Sequence, residues 1–224
     1  MTASVKYEVI DQVATITIDD GAKNVITHEV LGELEEAWAK AQDQARAVIL
    51  CGRPGSFCAG YDINVMTGAD RQAAAELGQR GGRFALQLFG SKMPTVAVCA
   101  GHAFTIGAVW LACCDVRLGE QGAHKFGMRE VALNVPFSDW PLEPLKERLD
   151  RHEFIPAILH SKIYDPQAAL QAGFLDQLVD PGAGMSEAAA QAAELAKLPS
   201  KAYAATKGVY RKEALLRMAQ DLGV

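Results

Sequence analysis

The spacing of apolar and polar residues divides the first part of the chain into strands and one helix. Two runs, Lys6–Ile10 and Val13–Asp19, alternate or are β-branched, and they predict a β-hairpin. Apolar residues then recur every three to four positions over residues 27–42, which predicts a helix with Thr27 as its N-cap. Ala45–Cys51 is largely apolar and predicts a buried strand.

A long uncharged stretch lies between Lys92 and Asp115, and its pattern separates two interpretations. A membrane span needs a continuous apolar helix with basic flanks, whereas Gly101 interrupts this stretch and no basic cluster flanks it. Thr95–Cys99 is β-branched and apolar, and a helix of small residues follows it. We therefore expect a buried strand, a turn and a buried helix whose N-terminus, capped by Thr105, faces an oxygen anion.

Helical patterns dominate the remainder of the chain. A helix weakened by three glycines is expected over Arg71–Gly90, and Pro141 and Pro144 indicate an irregular segment. Short strands are expected at residues 115–119 and 123–127, and further helices at residues 151–160, 166–172, 186–197 and 201–221.

The composition is that of an ordinary globular protein. Half of the 224 residues are apolar, the net charge is −5, and the absence of a basic run argues against a nucleic-acid surface. Asp180–Gly184 is rich in proline and glycine and indicates a hinge. We therefore divide the chain into a core, residues 1–180, and a C-terminal helical region, residues 181–224.

Cysteine usage bears on compartment and metal binding. The five cysteines lie mostly in apolar runs, which favours a reducing compartment over a disulfide framework, and none has zinc-site spacing. The first residues contain no apolar signal-peptide core. We expect a cytoplasmic protein with no metal and no membrane association.

Two glycine-containing turns, at Gly60 and Gly107, each follow a buried strand and open towards a helix. Backbone N–H groups from two such turns can bind one oxygen and stabilise an enolate or a tetrahedral intermediate, each contributing roughly 3 kcal/mol. Gly60 also allows the backbone to approach a ligand closely.

Three segments resemble the crotonase (enoyl-CoA hydratase/isomerase) superfamily, namely Phe57–Ile63, Val96–Asp115 and Phe126–Leu133. The resemblance extends over nearly the whole chain, from the first hairpin to Arg211. It implies an α/β fold, a spiral of ββα turns, and C-terminal helices that help to form trimers or hexamers. It also implies acyl-CoA thioester substrates, with coenzyme A as part of the substrate and no separate cofactor.

Residue by residue, the resemblance implies that the thioester oxygen binds between the N–H groups of Tyr61 and Ile106. Many relatives have the middle glycine of a triple-glycine run at the second position, where this chain reads Thr105-Ile106-Gly107. Implied contacts with the remainder of the substrate, including phosphate contacts from the two lysines, fall on Ala59, Gly60, Asp62, Ile63, Gly107, Lys23 and Lys207.

The acid–base residues separate the possible reactions. Hydratases of this superfamily use two glutamates, whose positions correspond to Val109 and Glu130. Val109 cannot carry a proton, whereas shifting a double bond needs only one base, which moves a proton from carbon 2 to carbon 4. The combination resembles the mitochondrial-type 3,2-enoyl-CoA isomerases. For this role Glu130 needs apolar surroundings that raise its pKa towards neutrality.

Other interpretations stay open. Glu130 is alternatively a surface carboxylate, ion-paired beside Arg129, and Asp139 is the leading auxiliary acid. We interpret His102 as a buried turn residue rather than a base, and Cys58 as a packing residue rather than a nucleophile. Hydration, a crotonase-like thioester hydrolase and a catalytically silent acyl-CoA-binding protein remain alternatives to isomerisation.

Overall fold

The structure, a computed structural model, describes residues 3–224 and belongs to the α/β class. Its strands are β1 (Val5–Ile10), β2 (Val13–Ile18), β3 (Val25–Ile26), β4 (Ala47–Gly52), β5 (Gly55–Cys58), β6 (Gly60–Tyr61), β7 (Thr95–Cys99), β8 (Gly101–Phe104), β9 (Val116–Glu120), β10 (Phe126–Gly127) and β11 (Gln177–Val179). Its helices are α1 (His28–Gln44), α2 (Ile63–Met66), α3 (Arg71–Phe89), α4 (Ile106–Cys113), α5 (Leu142–Arg148), α6 (Arg151–Ile158), α7 (Pro166–Ala172), α8 (Gly184–Ala196), α9 (Ser200–Tyr210) and α10 (Lys212–Leu222), with a 3₁₀ turn at Val131–Leu133.

The large sheet has the strand order β1-β2-β4-β7-β9-β11. Only the first pair, the predicted hairpin, is antiparallel, and each following neighbour is parallel. A smaller parallel sheet has the order β10-β8-β5, and β3 pairs with β6. Successive turns of the chain thus add one strand to each sheet and a helix, which is the spiral of ββα units that the resemblance implies.

Side chains alternate between the two faces of the large sheet, and helices cover both faces. Residues such as Leu50 and Ala97 face the main core beneath α1, α3 and α4. Their neighbours Ile49 and Val96 face the opposite side, where Ala188 of α8 packs against them. Burial on both faces explains why β4 and β7 read as nearly continuous apolar runs. Helix α8 belongs to the C-terminal region of the sequence and yet covers the core sheet.

Several local predictions are confirmed. The hairpin turns at residues 11–12, and Thr27 caps α1 by accepting a hydrogen bond from the N–H of Val30 at 3.2 Å. Helix α3 occupies Arg71–Phe89 despite its glycines, and α4 begins at Ile106. These elements depend on local periodicity and capping, which a sequence displays directly.

Three local predictions are wrong. Residues 142–148 form helix α5, because Pro141 and Pro144 lie at its N-cap and in its first turn, where no N–H is needed for a helical bond. The strand expected over residues 123–127 is shorter, at Phe126–Gly127. The long helix expected over residues 201–221 is divided into α9 and α10, with Arg211 between them.

Membrane insertion of a helix has no support in the described part of the chain. None of the helices within residues 3–224 combines the length and the apolar character that a bilayer crossing needs.

Candidate active site

The first glycine turn directs the N–H of Tyr61 away from the neighbouring strand. Asp62 donates its N–H to the carbonyl of Ile26 on β3 at 3.0 Å. Successive N–H groups of an extended chain point in opposite directions, so the N–H of Tyr61 points away from β3. Gly60, with φ of +107°, supplies the left-handed backbone that this turn requires.

The second turn leaves the first N–H groups of α4 without helical partners. Val109 donates the first helical bond, to the carbonyl of Thr105 at 3.1 Å. The N–H groups of Ile106, Gly107 and Ala108 lie within that turn and have no intrahelical acceptor. The partial positive charge of the helix N-terminus is therefore placed beside three available donors.

The two turns are in direct contact with each other. A Cβ atom added to Gly60 would lie 2.3 Å from Oγ1 of Thr105, and one added to Gly107 would lie 2.6 Å from Cβ of Cys58. Both positions therefore require glycine for close packing rather than for flexibility alone. Tyr61 directly follows Gly60 and Ile106 directly follows Thr105, so the amides of Tyr61 and Ile106 belong to two turns that are in contact.

Tyr61 and Ile106 line one cavity of about 490 Å³ together with Glu130 and Val109. The rest of its wall is mostly apolar and comes from α2, α3, the segment before α5, and α10, including Met66, Ala74, Ala75, Gly78, Val135, Pro136, Phe137, Trp140 and Leu222. Concave, largely apolar cavities with a few convergent polar groups are typical of small-molecule sites.

Glu130 has one fully buried carboxyl oxygen and a raised pKa. Its residue is half-buried, but its Oε2 atom is fully buried and has no hydrogen-bond partner among residues 3–224. Burial away from water disfavours the charged form and raises the pKa of Glu130 to about 7. A carboxyl group that exchanges its proton near neutral pH is suited to acid–base work.

Buried polar atoms without partners concentrate at this site. Within residues 3–224 they are Trp38 Nε1, Thr105 Oγ1 and Glu130 Oε2. Buried polar side chains are normally hydrogen-bonded, and an unpartnered one needs an explanation such as a catalytic role. Two of the three atoms belong to the second glycine turn and to Glu130.

Thr105 corrects one prediction. It occupies the N-cap position of α4, but its side chain makes no capping hydrogen bond. Its φ of +49° is a conformation that β-branched residues rarely adopt, and it turns the hydroxyl towards Gly60 instead of the helix. Backbone strain of this kind is often found at functional sites.

Comparison with known proteins identifies the family. Residues 8–222 match the family described as Enoyl-CoA hydratase/isomerase. The chain belongs to this family. It is 27% identical over 210 residues to human mitochondrial enoyl-CoA delta isomerase 1, covering 92% of this chain and 70% of that protein. It is also 26% identical over 204 residues to a probable enoyl-CoA hydratase of Rhizobium meliloti, covering 90% and 78%.

Solved structures share the fold closely. An apo structure of the enoyl-CoA isomerase of Mycobacterium tuberculosis has a TM-score of 0.94 at 31% identity and covers 100% of this chain and 97% of that one. The human mitochondrial delta3-delta2-enoyl-CoA isomerase has a TM-score of 0.93 at 25% identity, with 98% and 89% covered. The crotonase resemblance and its fold are thus confirmed, and the chain is an enzyme of the enoyl-CoA hydratase/isomerase family.

The remaining positions carried over from the family lie around the first turn. Ala59 donates its N–H to the carbonyl of Lys23 at 3.1 Å, and the side chain of Lys23 is exposed. Asp62 caps α2 through the N–H of Asn64, and Ile63 is exposed at the start of that helix. These four positions are not part of the wall of the Glu130 cavity. Their contact with coenzyme A stays a prediction.

Lys207 lies elsewhere. Its ammonium group is buried and contacts the carboxylate of Asp115 at 2.7 Å, at the wall of a second cavity of about 490 Å³. It is not part of the Glu130 cavity. In the described chain this ion pair, rather than a phosphate, satisfies the lysine.

Asp139, the leading auxiliary acid of the sequence hypothesis, does not reach the Glu130 cavity. Asp139 is exposed and absent from the wall, although Ser138 and Trp140 are part of it. Asp221 of α10 lines the cavity instead and accepts a hydrogen bond from the N–H of Trp140 at 2.9 Å. No motif in the sequence marks Asp221, because its place at the cavity depends on how the last helix folds back.

His102 is not the buried turn residue that the sequence predicts, because it lies on strand β8 and is only half-buried, whereas Cys58 is a buried packing residue as predicted. Nδ1 of His102 accepts a hydrogen bond from the N–H of Lys125 at 3.0 Å on strand β8. Cys58 is buried, and desolvation raises the pKa of its thiol to about 12, so it is not a thiolate at neutral pH. Within residues 3–224, no group of three His, Cys, Asp or Glu side chains is arranged to bind a metal.

Proposed function

We propose that this enzyme shifts the double bond of a 3-enoyl-CoA to give the 2-enoyl-CoA. The observation that carries the proposal is the carboxyl group of Glu130, whose Oε2 atom is unpartnered among residues 3–224, in the cavity that Tyr61 and Ile106 also line, with Val109 at the position of a second glutamate. One base beside a two-donor oxyanion site is sufficient for a proton to be moved along a carbon chain.

The proposed mechanism has two proton transfers. The thioester carbonyl oxygen accepts hydrogen bonds from the N–H groups of Tyr61 and Ile106, which polarise it and acidify carbon 2. The ionised carboxylate of Glu130 removes a proton from carbon 2, and the electrons move into a dienolate whose charge lies on the carbonyl oxygen. The same carboxyl group then returns its proton at carbon 4, which completes the shift and restores the base.

The energetic contributions are assigned as follows. The two backbone donors and the N-terminus of α4 stabilise the dienolate oxygen, each donor by roughly 3 kcal/mol, because they are fixed before the charge develops. The apolar wall around Glu130 places its pKa at about 7, so ionised and protonated forms both exist at neutral pH. A group of this kind can both take and return the proton.

Hydration of 2-enoyl-CoA is the second candidate. It requires one group to activate water and another to deliver a proton, and Val109 supplies neither. The observation in its favour is Asp221, a second carboxylate at the cavity wall. One oxygen of Asp221 is engaged by the N–H of Trp140, so a role in hydration would depend on the other oxygen.

Substrate and assembly belong to the same proposal. Coenzyme A enters as part of the substrate, held by Ala59, Asp62 and Ile63, with Lys23 near a phosphate. A trimer or hexamer is proposed from the family resemblance. Exposed apolar side chains on α9 and α10, including Val209, Tyr210 and Leu216, support an assembly that covers them.

Parallel assays test the proposal. Purified enzyme is offered a 3-enoyl-CoA and a 2-enoyl-CoA, and the Glu130→Gln variant is compared with Glu76→Gln, which removes an exposed carboxyl group of α3. We expect isomerisation to fall by about 10²- to 10⁴-fold in Glu130→Gln and to be unchanged in Glu76→Gln. Faster hydration than isomerisation in the wild type would favour the second candidate. Binding of both thioesters without turnover would leave a silent binding protein.

A further inference from the structure

Helix α3 contains three interior glycines, and two of them have steric explanations. A Cβ atom at Gly81 would lie 2.2 Å from the hydroxyl oxygen of Tyr61. One at Gly82 would lie 2.5 Å from Cδ2 of Leu222 and 2.9 Å from the Trp140 ring. These two glycines allow the tyrosine, α10 and Trp140 to pack closely against the helix.

Gly78 is different, because a Cβ atom there would have no heavy atom within 4 Å. It is nevertheless half-buried and lines the Glu130 cavity. A side chain at this position would therefore point into the cavity rather than into packed protein. Glycine inside a helix is about 1 kcal/mol less favourable than alanine, so Gly78 lowers stability without a packing benefit.

Gly208 of α9 provides a matched case. It is also an interior helical glycine with nothing within 4 Å of an added Cβ atom, but it is exposed and lines none of the three cavities described within residues 3–224. The space beside Gly208 is solvent, whereas the space beside Gly78 is the interior of the cavity. Only at Gly78 does the missing side chain leave room for a ligand.

The side chain of Tyr61 connects Gly78 to the proposed oxyanion donor, the amide of Tyr61. The hydroxyl of Tyr61 donates a hydrogen bond to the carbonyl of Gly78 at 3.3 Å. Gly78 is thus separated from the amide of Tyr61 by the length of a tyrosine side chain. A short acyl group bound at that amide does not extend so far along the cavity, whereas a long acyl chain does. Ala74 and Ala75 of the same helix also line the cavity, and their small side chains leave space along this wall.

We propose that Gly78 is a determinant of acyl-chain length, which admits long-chain acyl groups along α3. The inference rests on the proposed function, since it assigns the cavity to the acyl part of a coenzyme A thioester. Larger side chains at position 78 fill the space that the distal carbons of the chain occupy. The loss therefore grows with acyl length and with the size of the new side chain.

The experiment compares Gly78→Ala, Gly78→Leu and the control Gly208→Leu. Calorimetry measures the Kd of hexanoyl-CoA and dodecanoyl-CoA, and kinetics measure kcat/KM for 3-hexenoyl-CoA and 3-dodecenoyl-CoA. In Gly78→Leu we expect the long-chain to short-chain ratio of kcat/KM to fall, and the corresponding ratio of Kd to rise, by about tenfold or more, which is the discrimination that one methylene group can provide in an apolar pocket. Gly78→Ala gives smaller changes in both ratios, and Gly208→Leu gives none.

The outcomes separate this inference from the proposed function. An unchanged ratio in Gly78→Leu, or an equal change in Gly208→Leu, would overturn the inference. A shifted binding ratio in a protein that isomerises neither enoyl thioester supports the inference and contradicts the proposed function. Should Gly78→Leu fail to fold, Gly78→Ala carries the test, since alanine favours the helix and is expected to raise Tm.

Discussion

Two partly buried carboxyl groups, those of Glu130 and Asp115, lie at the walls of two cavities of similar volume, and their pKa values shift in opposite directions. Burial raises the pKa of Glu130 to about 7, and hydrogen bonds from the backbone N–H groups of Glu130 and Arg129 offset only part of this effect. Burial also acts to raise the pKa of Asp115, but the cationic groups of Lys207 and Arg211 more than offset this effect and hold it below its usual value. Neighbouring charged groups, rather than the depth of burial, therefore decide the direction in which the pKa of each carboxyl group shifts.

The hydrogen-bond partners show how different the two regions are. Asp115 accepts bonds from the N–H of Thr95 at 3.0 Å, the hydroxyl of Tyr203 at 2.7 Å, and the cationic groups of Lys207 at 2.7 Å and Arg211 at 3.0 Å. Oε2 of Glu130 has none among residues 3–224. The Asp115 network joins α4, α9 and the break before α10. The Glu130 region leaves its polar groups available, as a site that binds substrate requires.

The largest expected effect on stability comes from replacing Asp115. Asp115→Asn leaves Lys207 and Arg211 buried without a full counter-charge, which we expect to cost about 3–5 kcal/mol in free energy of unfolding. Denaturant unfolding of Asp115→Asn and of the exposed control Asp139→Asn measures it. A loss of stability no greater in Asp115→Asn than in the control would show that the network is not structural.

The second prediction concerns stability against pH. The folded-state pKa of Glu130 is raised above 4.5, so its contribution to stability is complete below about pH 4.5 and is lost as pH rises through about 7. Glu130→Gln removes this loss, and at pH 8 we expect it to be more stable than the wild type by up to about 3 kcal/mol, at roughly 1.4 kcal/mol per pKa unit. Glu76→Gln is the control.

At Asp115 the dependence of stability on pH has the opposite sign. Its folded-state pKa is lowered, so its contribution is present above 3.8 and is lost only as pH falls through the lower folded value. In unfolding curves measured between pH 3 and pH 8, the effect of Glu130 on stability therefore appears towards the high-pH end and that of Asp115 towards the low-pH end. An equal pH dependence of stability in the wild type and Glu130→Gln above pH 5 would contradict the raised pKa.

The third prediction concerns catalysis and depends on the proposed function. The base is active when ionised, so kcat/KM for a 3-enoyl-CoA should rise with pH through an apparent pKa of about 7 and then level. One pH unit below that value the activity is expected to fall about tenfold, since each unit of pH changes the ionised fraction by that factor. A profile that is flat between pH 5 and pH 9 would exclude Glu130 as the base.

Sequence patterns predicted the local elements of both regions but not the contacts between them. The cap at Thr27, the strand at Thr95–Cys99 and the turn before α4 follow from neighbouring residues. Asp115 instead meets Tyr203 and Arg211 from 88 and 96 positions away, and no local spacing encodes such contacts. The family resemblance makes Lys207 a candidate for phosphate contact, and no local spacing predicts that its ammonium group contacts Asp115.

In the candidate site, too, local motifs predict some residues and long-range packing places the others. Glu130 and the two donor positions follow from motifs, because each motif is a short segment with a fixed backbone role. Gly78 and Asp221 carry no motif, since they reach the cavity through the packing of α3 and α10. Thr105 was wrongly predicted as a side-chain cap because that rule assumes an extended N-cap backbone, and its φ is +49°.

The smallest expected effect on stability comes from replacing one threonine in each region. Oγ1 of Thr95 donates a hydrogen bond to Asp115 at 3.0 Å and accepts one from the N–H of Asp115 at 3.0 Å, whereas Oγ1 of Thr105 is buried without a partner among residues 3–224. Valine has nearly the same shape and is also β-branched, so any backbone strain at Thr105 stays the same in the variant.

We expect Thr95→Val to lose about 1 kcal/mol, because two hydrogen bonds disappear and Asp115 loses a donor. Thr105→Val should be neutral or slightly stabilising, since it replaces an unsatisfied buried hydroxyl with a methyl group. Chemical denaturation of the two variants side by side measures the difference. If Thr105→Val were the more damaging change, its hydroxyl would have a partner in solution, and the oxyanion turn would be as fully bonded as the Asp115 network.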